Sequence, residues 1–106
     1  MTDLEFKVFT EFCKHDFDWL TAHIPYPSTL LRQNIELTTW QCRTVLESLK
    51  MNGYIKSAIL SYWDEEGHHM FRGYELTDRG RDTDIYKEIE ETENKELRKL
   101  CSSELI

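Results

Sequence analysis

The side chains with the widest chemical reach lie between Thr29 and Arg72, and their chemistry is hydrogen bonding and charge. Arg32, Arg43 and Arg72 each offer a planar fork of donors that matches an oxyanion or a base edge. Lys50 and Lys56 offer point charges, while Thr29, Gln33, Thr38, Thr39, Gln41 and Thr44 offer neutral donors and acceptors. Bond-making chemistry has no comparable basis: the chain has neither a glycine-rich phosphate loop nor a nucleophile motif. Asp16 and Asp18 are close in sequence, but a carboxylate pair in an irregular segment is ordinarily solvated. His68 and His69 stand near Asp64 and Glu66, which are metal-ligand types. Adjacent histidines in a loop rarely converge on one ion, and the Cys/His spacing of a structural zinc site is absent. The expectation is a binding protein, not an enzyme, with no metal and no cofactor.

Local patterns predict the elements that must position these residues. Thr2 with Glu5 forms a capping-box pair at the start of a first helix, in which Leu4, Val8, Phe9, Phe12 and Cys13 recur at helical spacing to about His15. Residues 16–27 contain Pro25 and Pro27 and read as irregular, with Trp19, Leu20 and Ile24 as apolar anchors and a short strand around Trp19–Thr21. Ser28 is the expected cap of a short second helix bearing Leu30, Leu31 and Ile35. Thr38 or Thr39 caps a third, running to about Asn52 with Cys42, Val45, Leu46 and Leu49 on one face. Gly53 ends it in a positive-φ conformation. Two strand-like runs follow, Tyr54–Trp63 and Met70–Leu76, joined by a polar loop over 64–69. Thr77 is expected to cap a final helix, weak near Gly80 and clearer from Asp84.

Composition sets the frame. At 106 residues the chain is one domain, with a core over about 1–82 and a C-terminal helix over about 83–102. A 40% hydrophobic and 31% charged composition argues against wholesale disorder. The absence of a long apolar run and of a leader pattern gives the expectation of a cytoplasmic protein without a membrane partner. Cys13, Cys42 and Cys101, an odd count without a CxxC pair, fit reduced thiols, with Cys13 and Cys42 as small core residues. Net charge is −7, which weighs against a polyanionic partner. Its distribution tempers that objection, because residues 37–60 are net +2 while the rest of the chain is acidic.

Two stretches carry a family resemblance. Residues 30–55, from Leu30-Leu31-Arg32-Gln33 through Leu49-Lys50-Met51-Asn52-Gly53-Tyr54-Ile55, resemble the helix-turn-helix of MarR- and PadR-type regulators. Gly73-Tyr74-Glu75-Leu76-Thr77-Asp78-Arg79-Gly80 is similar to the tyrosine-x-leucine-threonine-x-x-glycine run that ends the wing in those families. The resemblance implies an α+β, mainly α fold: a winged helix-turn-helix with a three-helix core, a β-hairpin wing and a C-terminal helix. It implies sequence-specific binding of double-stranded DNA by a transcriptional regulator, commonly a homodimer.

On that reading the third helix docks through Cys42, Val45, Leu46 and Leu49 and turns Trp40, Thr44, Glu47 and Met51 outward. Thr39, Gln41 and Arg43 are candidates for base edges, since glutamine pairs with adenine and arginine with guanine. Thr29, Arg32, Gln33, Lys50 and Lys56 are candidates for phosphates. Trp40 has three destinations: a thymine methyl, a protein partner, or the loop of Trp19. Arg72 is the cation of the wing, whose tip, Asp64-Glu65-Glu66, is acidic and ill suited to phosphate. Ile85, Ile89, Leu97 and Leu100 form a sparse stripe for pairing with a second copy or for packing on the same domain. The alternative reading is a protein-protein interaction module using the acidic wing and Trp40.

Overall fold

The computed structural model describes residues 1–18, 20–22 and 24–104, with side chains as far as Glu96. It is α+β and mainly helical. In chain order the elements are α1 (Asp3–Phe17), α2 (Ser28–Asn34), α3 (Thr39–Met51), β1 (Ile55–Asp64), β2 (Gly67–Leu76), α4 (Asp78–Arg81) and α5 (Asp84–Glu104).

Helix starts are set by hydroxyl caps at most of the expected places. Thr2 Oγ1 accepts from the Glu5 amide at 3.2 Å, and α1 runs two residues past His15. Thr38, not Thr39, caps α3: its hydroxyl accepts from the Gln41 amide at 3.1 Å, and the Gln41 side-chain oxygen accepts from the Thr38 amide at 3.0 Å. This reciprocal pairing satisfies two otherwise orphaned donors. The cap of α2 differs from expectation. Pro27 takes the N-cap position without a side-chain bond, and Ser28 is the first helical residue. Proline fits there because it has no N–H to satisfy. Gly53 leaves α3 at φ 79°, and its amide donates to Lys50 O at 3.0 Å.

The predicted strand at 19–21 does not form at Leu20 and Thr21, and Trp19 lies outside the described residues. The amides of Thr21 and Ala22 donate back to Asp18 O, and Asp18 Oδ1 accepts from Leu20 N at 3.0 Å. An aspartate that bonds its own downstream backbone makes a turn in place of a strand. A different residue of this connection joins the sheet. Tyr26 forms an isolated bridge to Tyr74, with mutual amide–carbonyl bonds of 2.8 and 2.9 Å.

β1 and β2 pair antiparallel from Ile55↔Leu76 to Asp64↔Gly67. The turn is therefore Glu65-Glu66 alone, and His68 and His69 lie within β2 and not in a loop. Asp64 Oδ1 accepts from Glu66 N at 2.8 Å, which tightens this short connection.

The core lies where α1, α3 and the base of the hairpin meet. Val8, Phe9, Phe12 and Cys13 of α1 face Cys42, Val45, Leu46 and Leu49 of α3, with Tyr26, Leu31, Ile35, Leu37, Ile55 and Leu76 completing it. All four α3 residues are those expected from the helical period. Burial pushes the Cys13 thiol up to about 12.

The expected final helix is divided. Thr77 caps only the short α4, and Thr83 starts α5 by accepting from Tyr86 N at 3.2 Å. The first turns of α5 then pack on the chain's own α1: Ile85, Tyr86 and Ile89 contact the core, and Phe17 stacks on Tyr86 at 4.7 Å. Ile85 and Ile89 therefore spend part of their apolar surface within the chain. The Leu97, Leu100 and Cys101 side chains lie outside the described residues.

Candidate nucleic-acid interface

The Tyr26–Tyr74 bridge delivers the chain directly into α2, placing the first turn of that helix beside β2. α2 in turn packs on α3. Two consecutive helices and a strand beyond them in the chain so contribute to one surface.

At its centre Arg32 of α2 and Arg43 and Thr39 of α3 line a cleft of about 170 Å³, with Ser28 and Tyr74 at its sides. Ser28 and Tyr74 also border a cleft of about 320 Å³ that holds Ser57, Ile59 and Arg72 of the hairpin. On the far side Arg32 joins Thr29, Gln33 and Leu37 around a depression of about 310 Å³. Arg43 is likewise shared with a depression of about 600 Å³ along α3, lined by Trp40, Thr44, Glu47, Ser48, Met51 and Asn52. Neighbouring hollows share lining residues: Ser28 and Tyr74, then Arg32, then Arg43. Arg32, Arg43 and Arg72 stand along them and make no ion pair among the described residues. Glu47 is the sole acidic side chain lining them. The arrangement can hold anionic oxygens with forked donors and adjacent hydroxyls.

The Arg32 charge also reaches the wall of the cleft. Burial raises the Cys42 thiol above its ordinary value, and Arg32 opposes that rise.

Several sequence candidates have other employment or another position. Gln41 and Thr38 are bound to each other in the α3 cap, so Gln41 retains only its Nε2 donors while its oxygen is occupied. Pairing with adenine through both groups would have to share that oxygen with the cap. Lys56 faces away from Arg72. The register pairs Lys56 with Glu75 and Arg72 with Ile59, and alternate strand residues point to opposite faces. Lys56 Nζ sits 3.4 Å from Glu75. Lys50 is exposed two turns beyond Arg43 on α3, outside the four hollows.

Trp40 does not fold back on the body of the chain: it is 74% exposed, and Met51, on the same side of α3, is 84% exposed. Ser28 and Ser57 were not among the sequence candidates for this surface. Ser57 is legible only through strand register, because it shares a face with Tyr74 and Arg72.

The hairpin histidines also have partners. His69 Nε2 lies 2.8 Å from Asp64 Oδ1 and its ring stacks on Tyr62, whereas His68 contacts Ser61 and packs on Trp63. As strand neighbours they point to opposite faces and cannot share one ion. Among the described residues no group of three or more His, Cys, Asp or Glu is placed to hold a metal. No helix among the described residues is long and apolar enough to cross a membrane. Compared with models of known protein families and with curated protein sequences, the chain finds no match.

Proposed function

We propose that the chain is a winged helix-turn-helix domain that binds double-stranded DNA as a transcriptional regulator, with α3 as the recognition helix and the β1–β2 hairpin as the wing. One observation carries the reading. In a chain of net charge −7, three arginines without ion-pair partners among the described residues line two neighbouring clefts that share Ser28 and Tyr74 and are built by α2, α3 and the hairpin. Arginine forks left available in an acidic protein suit phosphate oxygens and guanine edges. The wing's role is confined to the half away from its turn, where Ser57 lies near the base and Arg72 midway along the strand, because Glu65 and Glu66 at the turn repel phosphate. The protein acts in the cytoplasm by binding, without catalysis. It works as a homodimer through the part of α5 beyond Ile89, since twofold symmetry suits palindromic sites.

Selection from a random duplex library at low and moderate salt tests this. Enrichment of one motif, with affinity falling as salt rises, is the expected result. No enrichment at low salt overturns it.

A second reading, a protein-binding module, is favoured by the exposure of Trp40, Met51 and, at 77%, Trp63. Large apolar side chains left in water are common at protein interfaces.

A further inference from the structure

Trp40 is the second residue of α3 and is 74% exposed, at the end of the helix that also bears Thr39 and Arg43. Residues three and four apart on a helix are surface neighbours, so Trp40 stands beside both Arg43 and Thr44. The three share the wall of the 600 Å³ depression, and Arg43 continues from it into the Arg32 cleft. An apolar ring thus sits at the N-terminal end of the proposed recognition helix, next to the cation that borders both hollows. That end of such a helix meets base edges. Indole carries a single donor and no charge, so a phosphate would engage only Nε1–H and leave the apolar face of the ring unmatched. In the major groove of unmodified DNA the apolar group on a base edge is the thymine C5-methyl.

Resting on the DNA-binding reading, we propose that Trp40 reads a thymine methyl, with the Thr44 methyl beside it, so that each half-site carries a fixed thymine adjacent to the position that Arg43 contacts. Arg43 lines both the Trp40 depression and the Arg32 cleft, which favours this occupant over a separate protein ligand. Trp40 is then a specificity determinant, and the polar surface around it holds the duplex in place.

Deoxyuridine is the discriminating probe, because it pairs as thymine does but lacks the methyl. The duplex enriched from the random library is resynthesised with deoxyuridine at each thymine in turn, and binding is measured for the unaltered protein, Trp40→Ala and Trp40→Gln. At one fixed position the substitution is expected to weaken binding about fourfold, as burial of a single methyl predicts. That loss should shrink towards none in both variants, which melt as the unaltered protein does because Trp40 is outside the core. A duplex bound equally well with deoxyuridine at every position, or an enriched motif without a fixed thymine, overturns the proposal and leaves DNA binding standing. Deoxyuridine sensitivity that persists in both variants removes Trp40 as the reader. Failure of any duplex to enrich overturns this proposal together with the DNA-binding reading.

Discussion

Gly73 lies directly against the backbone of Tyr26: a Cβ at Gly73 would stand 2.6 Å from the Tyr26 carbonyl oxygen and 2.7 Å from its carbonyl carbon. Both atoms belong to backbone that cannot swing aside as a flexible side chain can. The same residue, Tyr26, holds β2 through two amide–carbonyl bonds to Tyr74, and its hydroxyl accepts from Asn34 Nδ2 at 2.7 Å. The absence of one side chain at Gly73 therefore permits the contact that sets α2 beside β2. Gly73→Ala is expected to lower stability by about 1–3 kcal/mol, the usual cost of forcing atoms into a filled site. It should also weaken duplex binding beyond what its stability loss explains, because it separates Ser28 from Arg72. Urea denaturation with a parallel binding titration checks both effects. An unchanged midpoint would show that the bridge is dispensable.

Asp16 fastens the C-terminal helix to the first. It accepts from Arg81 Nη2 at 3.1 Å and from the Tyr86 hydroxyl at 2.8 Å. Burial, then the hydrogen bond to Asp16 and its charge, push the Tyr86 hydroxyl well above the ordinary tyrosine value of 10.0. The unfolded chain therefore loses this proton at a lower pH than the folded chain does. Stability is full below the ordinary tyrosine value and falls as pH rises past it. The Cys13 thiol acts in the same direction from its ordinary 9.0 upwards. Tyr86→Phe should cost about 1.5–3 kcal/mol at neutral pH, the net worth of one hydrogen bond to a charged group, and should flatten the decline in stability above pH 10. Thermal melts at stepped pH values provide the measurement, and a slope identical to that of the unaltered protein would contradict the coupling.

At Gln41 the sequence and the structure diverge. A glutamine one turn into a polar helix reads as a base contact, yet its oxygen is bound to the Thr38 amide. Thr38→Ala is expected to cost about 1 kcal/mol. Gln41→Ala should cost less alone, and adding it to Thr38→Ala should cost little more, because the two side chains act as one cap. Gln41→Glu preserves the cap, since glutamate serves equally in that position. Stability should hold in this variant, and because the added carboxylate repels phosphate on every duplex alike, a contact by the Nε2 donors is read from a change of preference at one base position and not from affinity alone. Additive costs for the two alanine variants would show that the two bonds act independently.

Much of the fold was legible because it depends on local signals. The α3 stripe of Cys42, Val45, Leu46 and Leu49, the turn at Gly53 and the caps at Thr2 and Thr77 follow from period and hydroxyl placement. What escaped depends on pairing. The reach of β2 back to Gly67 needed the strand register, because His68 and His69 are polar and match a loop in composition. The Tyr26 bridge joins residues 48 apart, a relation with no local signature. Of the surface candidates, Arg32, Arg43 and Arg72 converge through that same bridge. Lys56 looked equivalent to them by charge and was separated only by strand parity.

That separation gives a further prediction for the interface itself. Arg32, Arg43 and Arg72 lie on one surface, whereas Lys56 points away and is paired with Glu75. Arg32→Ala should weaken duplex binding and reduce the slope of log affinity against log salt by about 1, the signature of one lost phosphate contact. Arg72→Ala should do the same. Lys56→Ala should leave the slope nearly unchanged, and its stability cost should stay below about 1 kcal/mol because the Lys56–Glu75 pair is exposed. Arg43→Ala should differ in kind. Beside Trp40 it is placed for a base edge, so its loss should relax preference at one position by about 1–3 kcal/mol as well as lower affinity. Binding isotherms over a salt series, run on the enriched duplex and on single-base variants, separate these outcomes. A salt slope that falls equally for Lys56→Ala and Arg32→Ala would mean that the duplex also reaches the Lys56 face of the hairpin, whereas a slope left unchanged by Arg32→Ala would mean that the surface centred on Arg32 and Arg43 is not the one that meets the DNA.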